Sequence, residues 1–160
     1  MLAVLEKTKE SYTAVYQRPL AASVQAVWSV LTENDQLQHW MPNLEVADLR
    51  KGGTIKFHMN DGTGEAFDIA ILDFKEFVYL QFEWGEGSVR FELTPQAEGC
   101  LLRLTEYLPF LNDHTPKDLA GWHVCLDMFQ SVLKGEHMDF PEKEWAIWYE
   151  KYMQVLQHYR

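Results

Sequence analysis

Residues 77–108 read FVYLQFEWGEGSVRFELTPQAEGCLLRLTEYL, and this stretch decides the fold. Three apolar-rich runs, FVYLQFEW, VRFELTP and CLLRLTEYL, are separated by the connections GEGS and QAEG. Short links with glycine join antiparallel neighbours, whereas a parallel crossover needs a dozen residues or more. Just upstream, Ile55, Phe57 and Met59 alternate with Lys56, His58 and Asn60. The turn NDGTG then leads into Phe67, Ile69 and Ile71, a period-two hairpin pattern. With a short strand near residues 45–48, the middle of the chain reads as a meander of about six strands.

Both flanks change period. SYTAVYQRPL has strand residues and is closed by Pro19, because proline supplies no ladder donor. Ser23 is placed to cap the helix VQAVWSVLT, whose Val24, Val27, Trp28 and Leu31 share one side. A second short helix, QLQHWM, is expected to stop at Pro42. Beyond the meander, Thr115 is an expected N-cap with Pro116 at the first helical position, and the helix runs to Leu133 before Gly135 ends it. Pro141 opens a final amphipathic segment, EKEWAIWYEKYMQVLQHY. The order of elements predicts an α+β fold with the long helix across one face of a curved antiparallel sheet.

A chain of 160 residues is one domain by length, with a core that needs no staples. The formal net charge of -10 excludes a nucleic-acid partner, which would require clustered Lys and Arg. Cys100 and Cys125 show neither CxxC spacing nor a disulfide framework, and a cytoplasmic location fits them. No run of eighteen apolar residues suggests a membrane span. Aromatic residues make up 14% of the chain, with 6 Trp, so the interior is either a solid Trp-rich core or a lined cavity.

In the long helix, Leu119, Trp122, Cys125, Leu126, Met128 and Phe129 fall on one half of a helical wheel. His123 and Asp127 fall on the other, as an expected surface pair. That division puts Cys125 opposite His123 and excludes a metal site between them. Gly121 lies on the apolar arc, where tight packing of the helix on the sheet is expected.

The strings WSVLTENDQLQHWMP and AGWHVCLDMF, with FELTP and LLRLTEY between them, resemble the Hsp90 ATPase activator homologue family. That family belongs to the START-like, or Bet v 1-like, helix-grip superfamily. The likeness runs from Tyr12 to about Leu133, and residues 141–160 resemble a C-terminal tail that many members carry. It implies a single START-like domain over residues 1–160, with a sheet of about seven strands gripping the long helix. It also implies a cavity that holds an apolar ligand in many members. No cofactor is implied.

On parity and on the family position of the long helix, Trp40, Phe57, Phe67, Phe82, Trp122, Leu126 and Phe129 are the expected ligand-binding walls. Glu106 shares a strand face with Leu102 and Leu104. It is expected at the strand end, solvated; facing the cavity instead, it would be a candidate general acid with a raised pKa. The remaining histidines have no metal-ligand spacing, and the paired glycines are hairpin turns rather than a phosphate cradle. The leading reading is a module that binds a small hydrophobic or aromatic molecule, lipid-like or polyketide-like, as monomer or homodimer. A chaperone-interaction module, with Trp145, Trp148, Tyr149 and Tyr152 as its patch, is the alternative. An enzyme of cyclase or dehydratase type is the third.

Overall fold

The structure, a computed structural model, describes residues 1–159. Its strands are β1 (Val4–Lys7), β2 (Tyr12–Leu20), β3 (Leu44–Asp48), β4 (Thr54–His58), β5 (Ala66–Lys75), β6 (Tyr79–Trp84), β7 (Gly87–Gln96) and β8 (Gly99–Leu108). The helices are α1 (Val24–Thr32), α2 (Asn34–Leu37), α3 (Thr115–Leu133) and α4 (Glu142–Gln157). All eight strands form one antiparallel sheet in the order β1-β2-β8-β7-β6-β5-β4-β3. The meander from β3 to β8 follows the chain, and the detour through α1 and α2 sends β2 to the far side, against β8. Register shifts between Val46 and Asp48, and between Ile71 and Asp73, each add one residue to a strand. Such bulges bend a sheet, and this one curves around α3.

The sheet has one strand more than expected. In β1 only Leu5 is buried, so this four-residue segment carries no alternation from which a strand could be read. Pro19 does not close β2 but lies inside it, opposite Leu101. It falls in the half of β2 that β1 leaves uncovered, where one neighbour rather than two needs donors.

Ser23 caps α1 as its residue type predicts, its hydroxyl accepting from the Ala26 amide at 3.1 Å. The second helix departs from expectation, covering Asn34–Leu37 rather than QLQHWM. The Asn34 side chain ties its start to β3, accepting from the Val46 amide at 2.7 Å and donating to the Val46 carbonyl at 3.0 Å. Beyond it Trp40 is anchored by its indole Nε1, which donates to the Val30 carbonyl at 2.8 Å. At the head of α3, Thr115 lies just inside the helix. The Asn112 carboxamide does the capping, accepting from the amides of His114 and Thr115 at 2.9 and 3.2 Å.

The expected surface pair of His123 and Asp127 is absent, because α4 covers that stripe of α3. His123 is 2% exposed and stacks on Trp148 with ring centroids 3.7 Å apart. Its Nδ1 lies 2.8 Å from the Tyr152 hydroxyl, which also accepts from the Ala3 amide at 2.9 Å. Burial, chiefly, lowers the His123 pKa to about 3, so the ring is neutral and the hydroxyl can donate into Nδ1. Trp145, Trp148 and Tyr149 are half-buried and Tyr152 is buried; the α4 aromatics pack on their own domain. Gly121 is also unlike its expectation, since a Cβ there would meet nothing within 4 Å. Among the described residues no helix is long and apolar enough to cross a membrane.

Candidate functional site

Packing loosens where α3 begins. Two adjoining recesses, of about 360 and 450 Å³, share Trp84, Gly85, His114 and Asp118. The first opens over the end of β8, between Glu106, Tyr107, Phe110 and Thr115. The second lies between α3 and the β4–β5 hairpin and is lined by Phe57, Phe67, Asp68 and Glu83. Phe57 and Phe67 are cross-strand partners whose rings stack at 5.0 Å, and Phe57 meets Trp84 edge-on at 5.8 Å. Phe67, Tyr107 and Phe110 are 53%, 39% and 46% exposed. Large apolar groups left together at a concave surface mark a binding site more often than scattered ones do.

Backbone geometry brings the recess together. The β6–β7 turn carries Gly85 at φ +57, and a Cβ on Gly87 would run into the Tyr107 carbonyl. The turn therefore lies directly over the end of β8, which puts Trp84 and Glu106 in one opening.

Glu106 is not the solvated strand-end residue expected. It is 2% exposed, and its Oε1 finds no hydrogen-bond partner among the described residues. The reason lies in the strand lengths: β8 runs on to Leu108, and Glu106 is flanked by Ala14 on β2 and Val89 on β7, both buried. Burial, followed by hydrogen bonding to and repulsion from Asp118, pushes the Glu106 pKa well above the usual carboxylate range. A hydrogen bond between two carboxyls requires a proton on one of them. Asp118 in turn accepts from the Trp84 indole Nε1 at 2.9 Å. Close by, burial and then Asp118 push the Cys125 thiol up to about 12, which removes it as a nucleophile at neutral pH.

Of the residues expected as walls, Phe57 and Phe67 line the recess. The other five lie in the packed core behind it. Trp40 meets Phe129 at 5.0 Å, and Phe91 meets Phe82 at 6.1 Å and Trp122 at 5.9 Å; Leu126 is buried in the same core. Trp122 reaches the recess indirectly, its ring 4.8 Å from Trp84, and its buried Nε1 has no partner among the described residues. Trp84, Asp118, His114 and Phe110 were not among the expected site residues. The signal for Asp118 was present in the spacing: it precedes Trp122 by four residues and so sits one helical turn below it.

The profile of the family described as Activator of Hsp90 ATPase homolog 1-like protein matches residues 21–134. No curated protein matches the sequence. Among solved structures, the chain is similar to a conserved protein of unknown function from Enterococcus faecalis, with 27% identity and a TM-score of 0.83. That match covers 99% of this chain and 92% of the other. CalU16 from Micromonospora echinospora has 20% identity and a TM-score of 0.77, with 96% of each chain covered. DynU16, a protein of the dynemicin biosynthetic locus, has 22% identity and a TM-score of 0.67 over 78% of this chain and 48% of its own. At these identities CalU16 and DynU16 show the fold alone. Fold, element order and a profile match over more than half of its length together place the chain in the family of Activator of Hsp90 ATPase homolog 1-like proteins.

Proposed function

We propose that this chain is a binding module for a small, largely apolar or aromatic molecule, held in the recess at the head of α3. The observation that carries this reading is a concave, aromatic-walled opening with a buried carboxyl oxygen in its lining that no group among the described residues satisfies. Buried polar atoms in native proteins are nearly always paired, and a ligand is a natural partner for one that is not. Phe57, Phe67 and Trp84 are the contact walls in this reading. Phe82 and Trp122 back Trp84, while Trp40, Leu126 and Phe129 hold α3 against the sheet at one remove. The likeness to a protein of a biosynthetic locus accords with a small-molecule ligand.

Two measurements test the reading. Native mass spectrometry of freshly purified protein should show a retained small molecule. Nile red, a neutral hydrophobic dye, should bind saturably, and Phe67→Ala, an exposed substitution that leaves the core intact, should weaken binding by roughly tenfold, the scale of losing one well-packed aromatic contact. Absence of saturable binding, or binding indifferent to Phe67→Ala, removes the recess as the site. Family membership carries a second reading, a chaperone-activator role, which pull-down against Hsp90 tests directly.

A further inference from the structure

The polar lining of the recess is one-sided. Its carboxyls are Asp68, Glu83, Glu86, Glu106 and Asp118, and among the described residues no lysine or arginine lines it. Glu83 is already engaged, accepting from the Ala70 amide at 2.7 Å. Glu106 is the exception among them, fully buried with an orphan Oε1 and facing a second carboxyl, that of Asp118. Two carboxylates in contact cannot both ionise where water is excluded, so a proton must be held between them. An ammonium group can do the same work, since it brings positive charge and three donors to the same place. The face of Trp84, which shares that opening, and those of Phe57 and Phe67 in the adjoining recess beside Asp118 suit a cation as well as an apolar body.

Resting on the reading of the recess as a ligand site, we propose that its ligand is an organic cation, an amine on an aromatic or apolar body. Its ammonium sits between Glu106 and Asp118 in place of their shared proton. The charges balance: a protonated pair carrying -1 takes up one ammonium, releases one proton to solvent and again carries -1. Affinity therefore depends on pH, rising as the proton becomes easier to remove, until the amine itself loses its charge. The groups that face Glu106 are few. Asp118 comes from α3 and the neutral Trp84 indole from β6. From β2 comes the Tyr16 hydroxyl, committed to the Leu119 carbonyl at 2.9 Å, with Arg18 further along the same strand. Glu86 and His114 stand at the lip.

Tryptamine and tryptophol, which differ by an ammonium in place of a hydroxyl, provide the test. Calorimetric titrations at pH 7 in two buffers of different ionisation enthalpy read both affinity and proton release. Tryptamine should bind at least roughly tenfold tighter than tryptophol and release about one proton per molecule, while tryptophol releases none. Glu106→Gln, nearly isosteric with the protonated acid, should bring tryptamine down to the affinity of tryptophol and abolish proton release; Asp118→Asn, at a half-buried position, should do the same. Equal affinity for the two compounds, tighter binding without proton release, or binding of Nile red but of neither indole overturns the cation proposal and leaves the apolar recess standing. Failure of Nile red and both indoles to bind removes the recess itself.

Discussion

Buried polar groups flank helix α3 on two sides, and they are treated in opposite ways. On the side facing α4, His123, Tyr152, the Ala3 amide and, beside them, Tyr16 with the Leu119 carbonyl are all hydrogen-bonded. On the side facing the recess, Glu106 Oε1 and Trp122 Nε1 have no partner among the described residues. A buried polar atom left unpaired costs about 1–3 kcal/mol. The satisfied network needs nothing from outside and ties the N-terminal segment and α4 to the domain. Of the unsatisfied pair, Glu106 lines the opening, where an incoming group can approach its carboxyl, and Trp122 lies directly behind Trp84 in the wall. Burial of polar groups is thus common to both regions; what separates structure from site is whether the protein completes the hydrogen bonds itself.

The largest expected effect is in the completed network. Tyr152→Ala removes a buried ring and leaves both His123 Nδ1 and the Ala3 amide without a partner, so urea unfolding should show a loss of about 3–5 kcal/mol. Tyr152→Phe, which keeps the ring and deletes only the hydroxyl, should cost about 1–3 kcal/mol. A loss below about 0.5 kcal/mol for both, the level of an ordinary surface change, would mean that the two regions do not differ as described.

The pH dependence of stability sharpens the same contrast, because the two groups act with opposite sign. His123 has a folded pKa near 3 against an ordinary 6.5. Between these values the unfolded chain binds a proton that the native state refuses, so its contribution is present above 6.5 and is lost as pH falls, by up to about 1.4 kcal/mol per pH unit. The folded pKa of Glu106 is raised above its reference of 4.5, so its contribution is present below that value and is lost as pH rises. Where the windows overlap, the two slopes oppose each other. Glu106→Gln should therefore be as stable as wild type or more so at pH 7, and should lose stability more steeply on acidification from 6.5 toward 4.5. Parallel wild-type and Glu106→Gln curves from chemical denaturation across that range would show that Glu106 does not hold its proton.

The smallest effect belongs to neither region but lies between them. Gly121 occupies a helical position where a Cβ meets only open space, so Gly121→Ala should raise stability by about 0.5–1 kcal/mol through helix propensity and the unfolded state. A loss in thermal unfolding would instead reveal a close contact at that face.

What was legible in the sequence follows from which signals are local. Alternation through Ile55 and Phe57, the glycine-bearing turns, and Ser23 before an apolar helix stripe are local, and they yielded an α+β order with a long helix across an antiparallel sheet directly. The positions of His123 and Glu106 depend on partners far along the chain. A helical wheel of α3 cannot reveal that α4 returns to cover His123, and strand parity aimed Glu106 inward without showing that β2, β7 and the β6–β7 turn would seal it from water. The recess was half legible for the same reason. Phe57 and Phe67 announced themselves as an alternating hairpin pair, whereas Trp84 and Asp118 meet only through a 2.9 Å hydrogen bond between β6 and α3.

The most direct test of the contrast between the two sides of α3 is an NMR titration of the Glu106 side-chain carboxyl carbon. In wild type its midpoint should lie well above the reference of 4.5, and Asp118→Asn, which replaces a like charge with an amide that can donate to the ionised form, should bring it down. A midpoint near the reference value in wild type would contradict the account, for it would mean that Glu106 is solvated or paired and that the recess holds no carboxyl waiting for a partner.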